Sequence, residues 1–184
     1  MLNALVLDLA AFSGMEMENM TRGHGWVFLD LGRRLERGLA IARLLEAARR
    51  CIGTGDLLLE PLLEVADSVI TYRRRYFAEP RLAGVLDLLV RDPTNPRGLA
   101  FQLALLERHL ASLPTGPNPE GAALLQQRLA AAAGMLDCLP AEELDTGAGA
   151  TATAERLASL AAELGSLSDL LTHVYFSHVV PRVS

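Results

Sequence analysis

The groups best able to grip an anion lie between Asp30 and Arg37. In Gly32-Arg33-Arg34-Leu35-Glu36-Arg37, three guanidinium groups surround one carboxylate. Stepping about 100° per residue along a helix gathers Asp30, Arg33 and Arg37 within about 60° of one another, opposite the apolar stripe Val27, Phe28, Leu31, Leu35, Leu39, Ala42 and Leu45. Arg33 and Arg37, one turn apart, could hold one carboxylate or phosphate between two planar forks. The alternative is a solvated face with weak i,i+3 and i,i+4 pairs such as Asp30–Arg33. Gly32, Glu36, Arg43 and Arg50 follow a second line on the flank. Glu36, between Arg residues, is a candidate general base, with Asn95 or Gln102 to orient a substrate.

A second cationic run is Tyr72-Arg73-Arg74-Arg75-Tyr76. Three Arg with flanking phenols could form an anion site. They also complement the negative end of the helix they close. Glu60, Glu64 and Asp67 share one face if a single helix carries them, but no histidine joins that face, and a solvated stripe explains it better than a metal. His173 and His178 stand about 140° apart on a helix. HExxH and GxSxG are absent, as are CxxC pairs, so the sequence implies no metal and no cofactor. Every one of the 17 basic residues is Arg, which removes P-loop and Schiff-base lysine chemistry.

The elements that must position these groups read as helices. Leu2, Leu5, Val6, Leu9 and Phe12 mark a first helix over 2–18, and Trp26 anchors a long one to about Arg50. A third runs from Asp56 or Pro61 to Tyr76, a short fourth spans 81–91, and Asn95-Pro96 caps a fifth. Asn118-Pro119 repeats that device for a sixth, ending near Leu139-Pro140. The stretch of about 140–152 reads as a flexible linker, and a last helix runs from Thr153 to His178. The expectation is one all-α domain over 1–184: a bundle of about seven helices with short Pro/Gly/Asn-rich connections.

Composition agrees. Hydrophobic residues make up 51% of the 184-residue chain and aromatics 5%. Leu and Ala dominate, favouring helix over the β-branched and aromatic residues of strands. A net charge of −5 argues against general nucleic-acid binding. No apolar stretch reaches the roughly 18 residues of a membrane span. Cys51 and Cys138 suggest a reducing, cytoplasmic setting.

Several strings, in order, resemble one family: Glu18-Asn19-Met20-Thr21-Arg22-Gly23, Gly25 through Arg37, Thr71 through Tyr76, Asp92-Pro93-Thr94-Asn95-Pro96-Arg97 and Ala100-Phe101-Gln102-Leu103. This is similar to the alpha-E domain, a bacterial domain of unknown function, with the clear match ending near residue 113 and Tyr175-Phe176 also fitting. Members are usually longer and carry an earlier Gly-Arg-x-x-Glu-Arg segment. The resemblance therefore implies the C-terminal part of a longer bundle, an apolar face left bare, and self-association through it. It also implies an ATP-grasp-type peptide ligase and a transglutaminase-like protein as partners. On that footing the expected role is an accessory protein presenting Arg22, Arg33, Arg37 and Arg73–Arg75, together with Asp30, Glu36, Asn95, Arg97 and Gln102, to an acidic peptide or phosphate-bearing intermediate. The alternatives are a stand-alone enzyme using Glu36, or a purely structural module in which these charges pair across helices.

Overall fold

The computed structural model describes residues 2–51, 58–115, 118–137 and 147–177, and among these there are helices and connections but no strand. Four helices form the bundle: α2 (His24–Cys51), α6 (Leu99–Ser112), α7 (Pro119–Asp137) and α8 (Gly147–Phe176). Each packs on its two neighbours in the ring α2–α6–α7–α8. Cross-links give their directions. Asp30 meets His109 and Arg34 meets Gln102, so α2 and α6 run antiparallel. Phe28 stacks edge-on against Tyr175 and Phe176 while Gly38 approaches Leu164, so α2 and α8 are antiparallel too. Arg128 bonds Glu163 between α7 and α8. The result is an up-down-up-down bundle.

Its core is mostly leucine. Leu31, Leu35, Leu106, Leu110, Leu125, Leu129, Leu167 and Leu171 converge on the axis from all four helices. Helix α2 touches both α6 and α8, so its buried arc is wider than the apolar stripe alone. Asp30, Gly38, Ile41 and Arg49 are buried along with Val27, Leu31 and Leu45. Asp30 therefore lies inside the bundle, where the helical wheel had placed it on the solvent side.

A side layer covers one end: α3 (Leu59–Val65), α4 (Val69–Tyr76), α5 (Leu82–Leu86) and a π-helical turn over Asp87–Arg91. The expected single helix to Tyr76 is broken, because Asp67 adopts a left-handed conformation (φ 50°). Asp tolerates that region better than most residues. Glu60 and Asp67 thus belong to different segments and share no helical face. Pro61 does sit in the first turn of α3, where its missing N–H costs nothing. The short helix over 81–91 is present, its second half wound as π.

Helix α6 starts at Leu99 after an extended Gly98, not at Asn95-Pro96. Asn95 instead closes a turn, accepting the Arg97 N–H at 3.1 Å and donating to the Leu88 carbonyl at 3.0 Å. Gly98 leaves room there, since a Cβ would lie 3.1 Å from the Leu88 carbonyl oxygen. The Asn118 cap is present, its Oδ1 accepting Gly121 N–H at 2.9 Å. Residues 147–152, expected as linker, are the first turns of α8. Residues 138–146 and 178, with the expected end of the sixth helix, lie outside the described residues. The first helix, α1 (Leu2–Asn19), forms as expected but buries none of its residues.

Candidate functional site

The charged residues fall into three groups. The first is buried between α2 and α6. Arg34 donates to both Asp30 oxygens, at 2.9 Å and 3.2 Å, and His109 Nε2 donates to Oδ2 at 2.7 Å. Burial pushes the Asp30 pKa up, but the hydrogen bonds and charges of Arg34 and His109 outweigh it and hold the carboxyl below its ordinary value. Arg34 also reaches Gln102 Oε1 at 3.3 Å, and Gln102 donates to the Pro96 carbonyl at 2.7 Å. Trp26 meets the His109 ring edge-on, with the Arg22 guanidinium over its face. The Asp30 partner is Arg34 at i,i+4, replacing the expected Arg33. This network of buried side chains can fix helix register.

The second group joins α4 to the turn that precedes α6. Arg75 pairs with Asp92 and reaches Asp87 at 3.4 Å. The other Asp92 oxygen accepts the Thr94 N–H at 2.8 Å and hydroxyl at 2.7 Å. Burial raises the Asp92 pKa, but Thr94 and Arg75 together bring it below the usual carboxylate value. Burial, then the hydrogen bond to Asp87, raises the Tyr76 phenol. Arg73 pairs with Glu60 at the surface. Of the three consecutive arginines, Arg74 alone forms no ion pair among the described residues.

The third group surrounds a cleft. Arg37, Arg43 and Arg97 line a cavity of about 460 Å³ with a floor of Ala40, Ile41, Leu44, Val65 and Ala66. Desolvation, then the neighbouring Arg97 and Arg34 charges, draws the Arg37 pKa below the ordinary guanidinium value. It stays fully charged at neutral pH. Arg97 is bonded to Asp67 at 2.7 Å on the rim. Among the described residues Arg37 and Arg43 have no ion-pair partner. Cations lining an apolar floor, in a volume suited to a small ligand or a few side chains, can hold an anion that carries an apolar portion.

The sequence-derived residues are therefore distributed rather than gathered. Arg37 and Arg97 share the cleft, where Arg43, first placed on the helix flank, joins them. Arg33 pairs with Glu16 of α1. Glu36 is exposed. Asp30 and Gln102 belong to the buried network, Arg73, Arg75 and Asn95 to the side layer, and Arg22 to the Trp26 cap. His109, Asp92 and Asp67 were not singled out as site residues, and a lone His on a helix face gives no signal of its distant partner. No group of three or more His, Cys, Asp or Glu among the described residues is placed to hold a metal. No helix among them is long and apolar enough to cross a membrane.

Fold and site together define an all-helical bundle with a cationic cleft at one end. The chain belongs to the Alpha-E family, described as a predicted alpha-helical domain with a conserved ER motif, and residues 1–176 match it. The match continues past residue 113 to cover essentially the whole chain. Glu-Arg pairs occur at Glu36-Arg37, Glu107-Arg108 and Glu155-Arg156, and of these residues Arg37 lines the cleft. Two relatives, uncharacterized protein Rv2567 of Mycobacterium tuberculosis and uncharacterized protein Mb2597 of Mycobacterium bovis, are each 29% identical over 167 residues. That stretch is 89% of this chain and 19% of each relative, so the chain spans about a fifth of their length. No solved structure matches the chain.

Proposed function

We propose that this domain is a binding module that takes an acidic peptide, or a phosphate-bearing intermediate attached to one, into the Arg37–Arg43–Arg97 cleft. The observation that carries this reading is that three arginines and an apolar floor line one cavity. Arg matches carboxylate and phosphate in bidentate geometry and stays charged when partly desolvated. Ile41, Leu44 and Val65 would take up the apolar part of the ligand. The module would serve as an accessory to an ATP-grasp-type peptide ligase, with a transglutaminase-like protein in the same system, and its own chain would contribute binding rather than turnover.

Isothermal titration with an acidic peptide and its phosphorylated form tests the cleft. Binding that weakens with salt and is lost in Arg37→Ala/Arg43→Ala supports it, while affinity unchanged in that variant refutes it. Co-expression with the ligase tests the accessory role: co-elution at fixed stoichiometry supports it, and separate peaks remove it.

A purely structural role suits the other two groups. Asp30–Arg34–His109 and Arg75–Asp92 link separate elements through partly or fully buried ion pairs. Such pairs specify geometry more than they add net stability.

A further inference from the structure

Helix α1 has 18 residues and buries none of them. Leu2, Leu5, Leu9 and Phe12 are 77%, 54%, 56% and 59% exposed. A Cβ built on Gly14 meets nothing within 4 Å. What tethers the helix lies at its C-terminal end, where Arg33 takes Glu16 and Arg22 takes the Met17 carbonyl. A helix of this length is marginal in water without a packed face, so its apolar stripe calls for a cover.

The spacing of the stripe indicates what kind of cover. Residues 2, 5, 9 and 12 alternate by three and four, the a/d seam of a two-stranded coiled coil, with Glu16 at the next a position. Leu7 and Met15 lie off this seam. All the charged residues of α1 are acidic: Asp8, Glu16 and Glu18. In a parallel pair of such helices the two Glu16 carboxylates would face each other on the seam, and both acidic C-terminal turns would lie side by side at the negative ends of two dipoles. In an antiparallel pair each acidic turn lies beyond the other helix's N-terminus, where the dipole favours negative charge. Centring the stripes on each other sets Leu2 against the partner's Phe12 and Leu5 against the partner's Leu9, each an a residue meeting a d residue. Glu16 then stays outside the seam, free to keep Arg33.

We infer that α1 is the seam of an antiparallel homodimer, its cover being α1 of a second copy of this chain. The interface is separate from the Arg cleft and does not depend on how that cleft is read. Sedimentation velocity over a wide concentration range gives the first test. The chain is expected to run at twice its own mass, and Leu5→Glu/Leu9→Glu to run as a monomer that loses at most the helicity of α1 and keeps the thermal midpoint of the bundle, because the bundle does not rest on α1. A chain that is monomeric throughout, or a dimer that survives the double substitution, overturns the inference. Disulfide trapping, with Cys51 and Cys138 replaced by Ser, reads the orientation. Mixing Leu5→Cys with Leu9→Cys chains should give a crosslinked pair containing one of each, whereas Leu5→Cys crosslinking to itself overturns the antiparallel arrangement.

Discussion

Asp30 and His109, 79 residues apart in the chain, meet at 2.7 Å inside the bundle. With Arg34 they tie the first long helix to α6 through a carboxylate that burial alone would have made costly to ionise. Asp30→Ala leaves the His109 ring without its acceptor and Arg34 with Gln102 alone. A loss of about 3–5 kcal/mol in unfolding free energy is expected, the usual cost of breaking a buried pair from one side. Replacing Asp30 and Arg34 together by Leu should recover much of it. Urea denaturation of the single and double variants measures the difference.

The same geometry sets a pH dependence. The folded pKa values of Asp30 and Asp92 lie below the ordinary value of 3.8. A carboxyl that binds its proton more weakly in the folded chain than in the unfolded one stabilises the fold when ionised. That contribution is complete above the unfolded pKa and is lost as the pH falls through the lower folded values. Denaturation midpoints should therefore be flat for these two groups down to about pH 4 and drop below it. Asp30→Asn/Asp92→Asn should start from a lower midpoint at neutral pH and lose less on acidification.

Tyr72 and Gly84 make a close contact in the side layer. A Cβ on residue 84 would lie 2.7 Å from the Tyr72 hydroxyl and 3.0 Å from its ring. Tyr72 is fully buried, and its hydroxyl accepts the Arg81 N–H at 2.9 Å, so it has little room to yield. Gly84→Ala should cost about 1–3 kcal/mol, as overpacking does. In a Tyr72→Phe background the penalty should shrink, because the atom nearest the new methyl is gone. A double-mutant cycle from thermal or chemical unfolding reads that coupling.

The all-helical architecture was legible because Leu and Ala recur at helical spacing and Pro, Gly and Asn punctuate it. The Asn118 cap, Trp26 as an anchor and the long α2 all follow from local chemistry. What local chemistry does not carry is the number of neighbours a helix has. The 100° wheel of α2 placed Asp30 opposite the core, but α2 packs against both α6 and α8, and that wider contact brings Asp30 inside. Asn95-Pro96 has every local mark of a helix start; the Leu88 carbonyl, seven residues earlier, draws the Asn side chain into a turn instead. The break at Asp67 rests on one left-handed residue with no Gly or Pro to announce it. For the cleft, Arg37 and Arg97 are both candidates from the sequence, but their meeting place depends on how α3 folds back beside α2, which no spacing encodes.

Asn95 also gives a test of the π-helical turn. Its Nδ2 donates to Leu88 O within a segment where Asp92 N–H bonds the Asp87 carbonyl five residues back, at 2.9 Å. Asn95→Ala leaves the buried Leu88 carbonyl without that donor, worth about 1–3 kcal/mol. Amide exchange in residues 87–92 should quicken more than exchange in α7 or α8. Equal acceleration throughout the chain would show that Asn95 supports the whole bundle rather than this turn.

The cleft should gain affinity when Asp67 is neutralised. Asp67 holds Arg97 at 2.7 Å, and its carboxylate is mostly solvent-exposed, so the pair itself contributes little to stability. It does compete with any anion for the Arg97 fork. Asn accepts the left-handed backbone at this position as readily as Asp does, so Asp67→Asn should leave the break between α3 and α4 intact. Freeing the Arg97 fork from an exposed pair worth about 0.2–1 kcal/mol should tighten the Kd for an acidic or phosphorylated peptide by up to about fivefold. The same substitution in an Arg97→Ala background should change nothing. If Asp67→Asn weakens binding instead, Asp67 is itself a ligand contact, and the cleft selects for a group that carries a donor beside its negative charge.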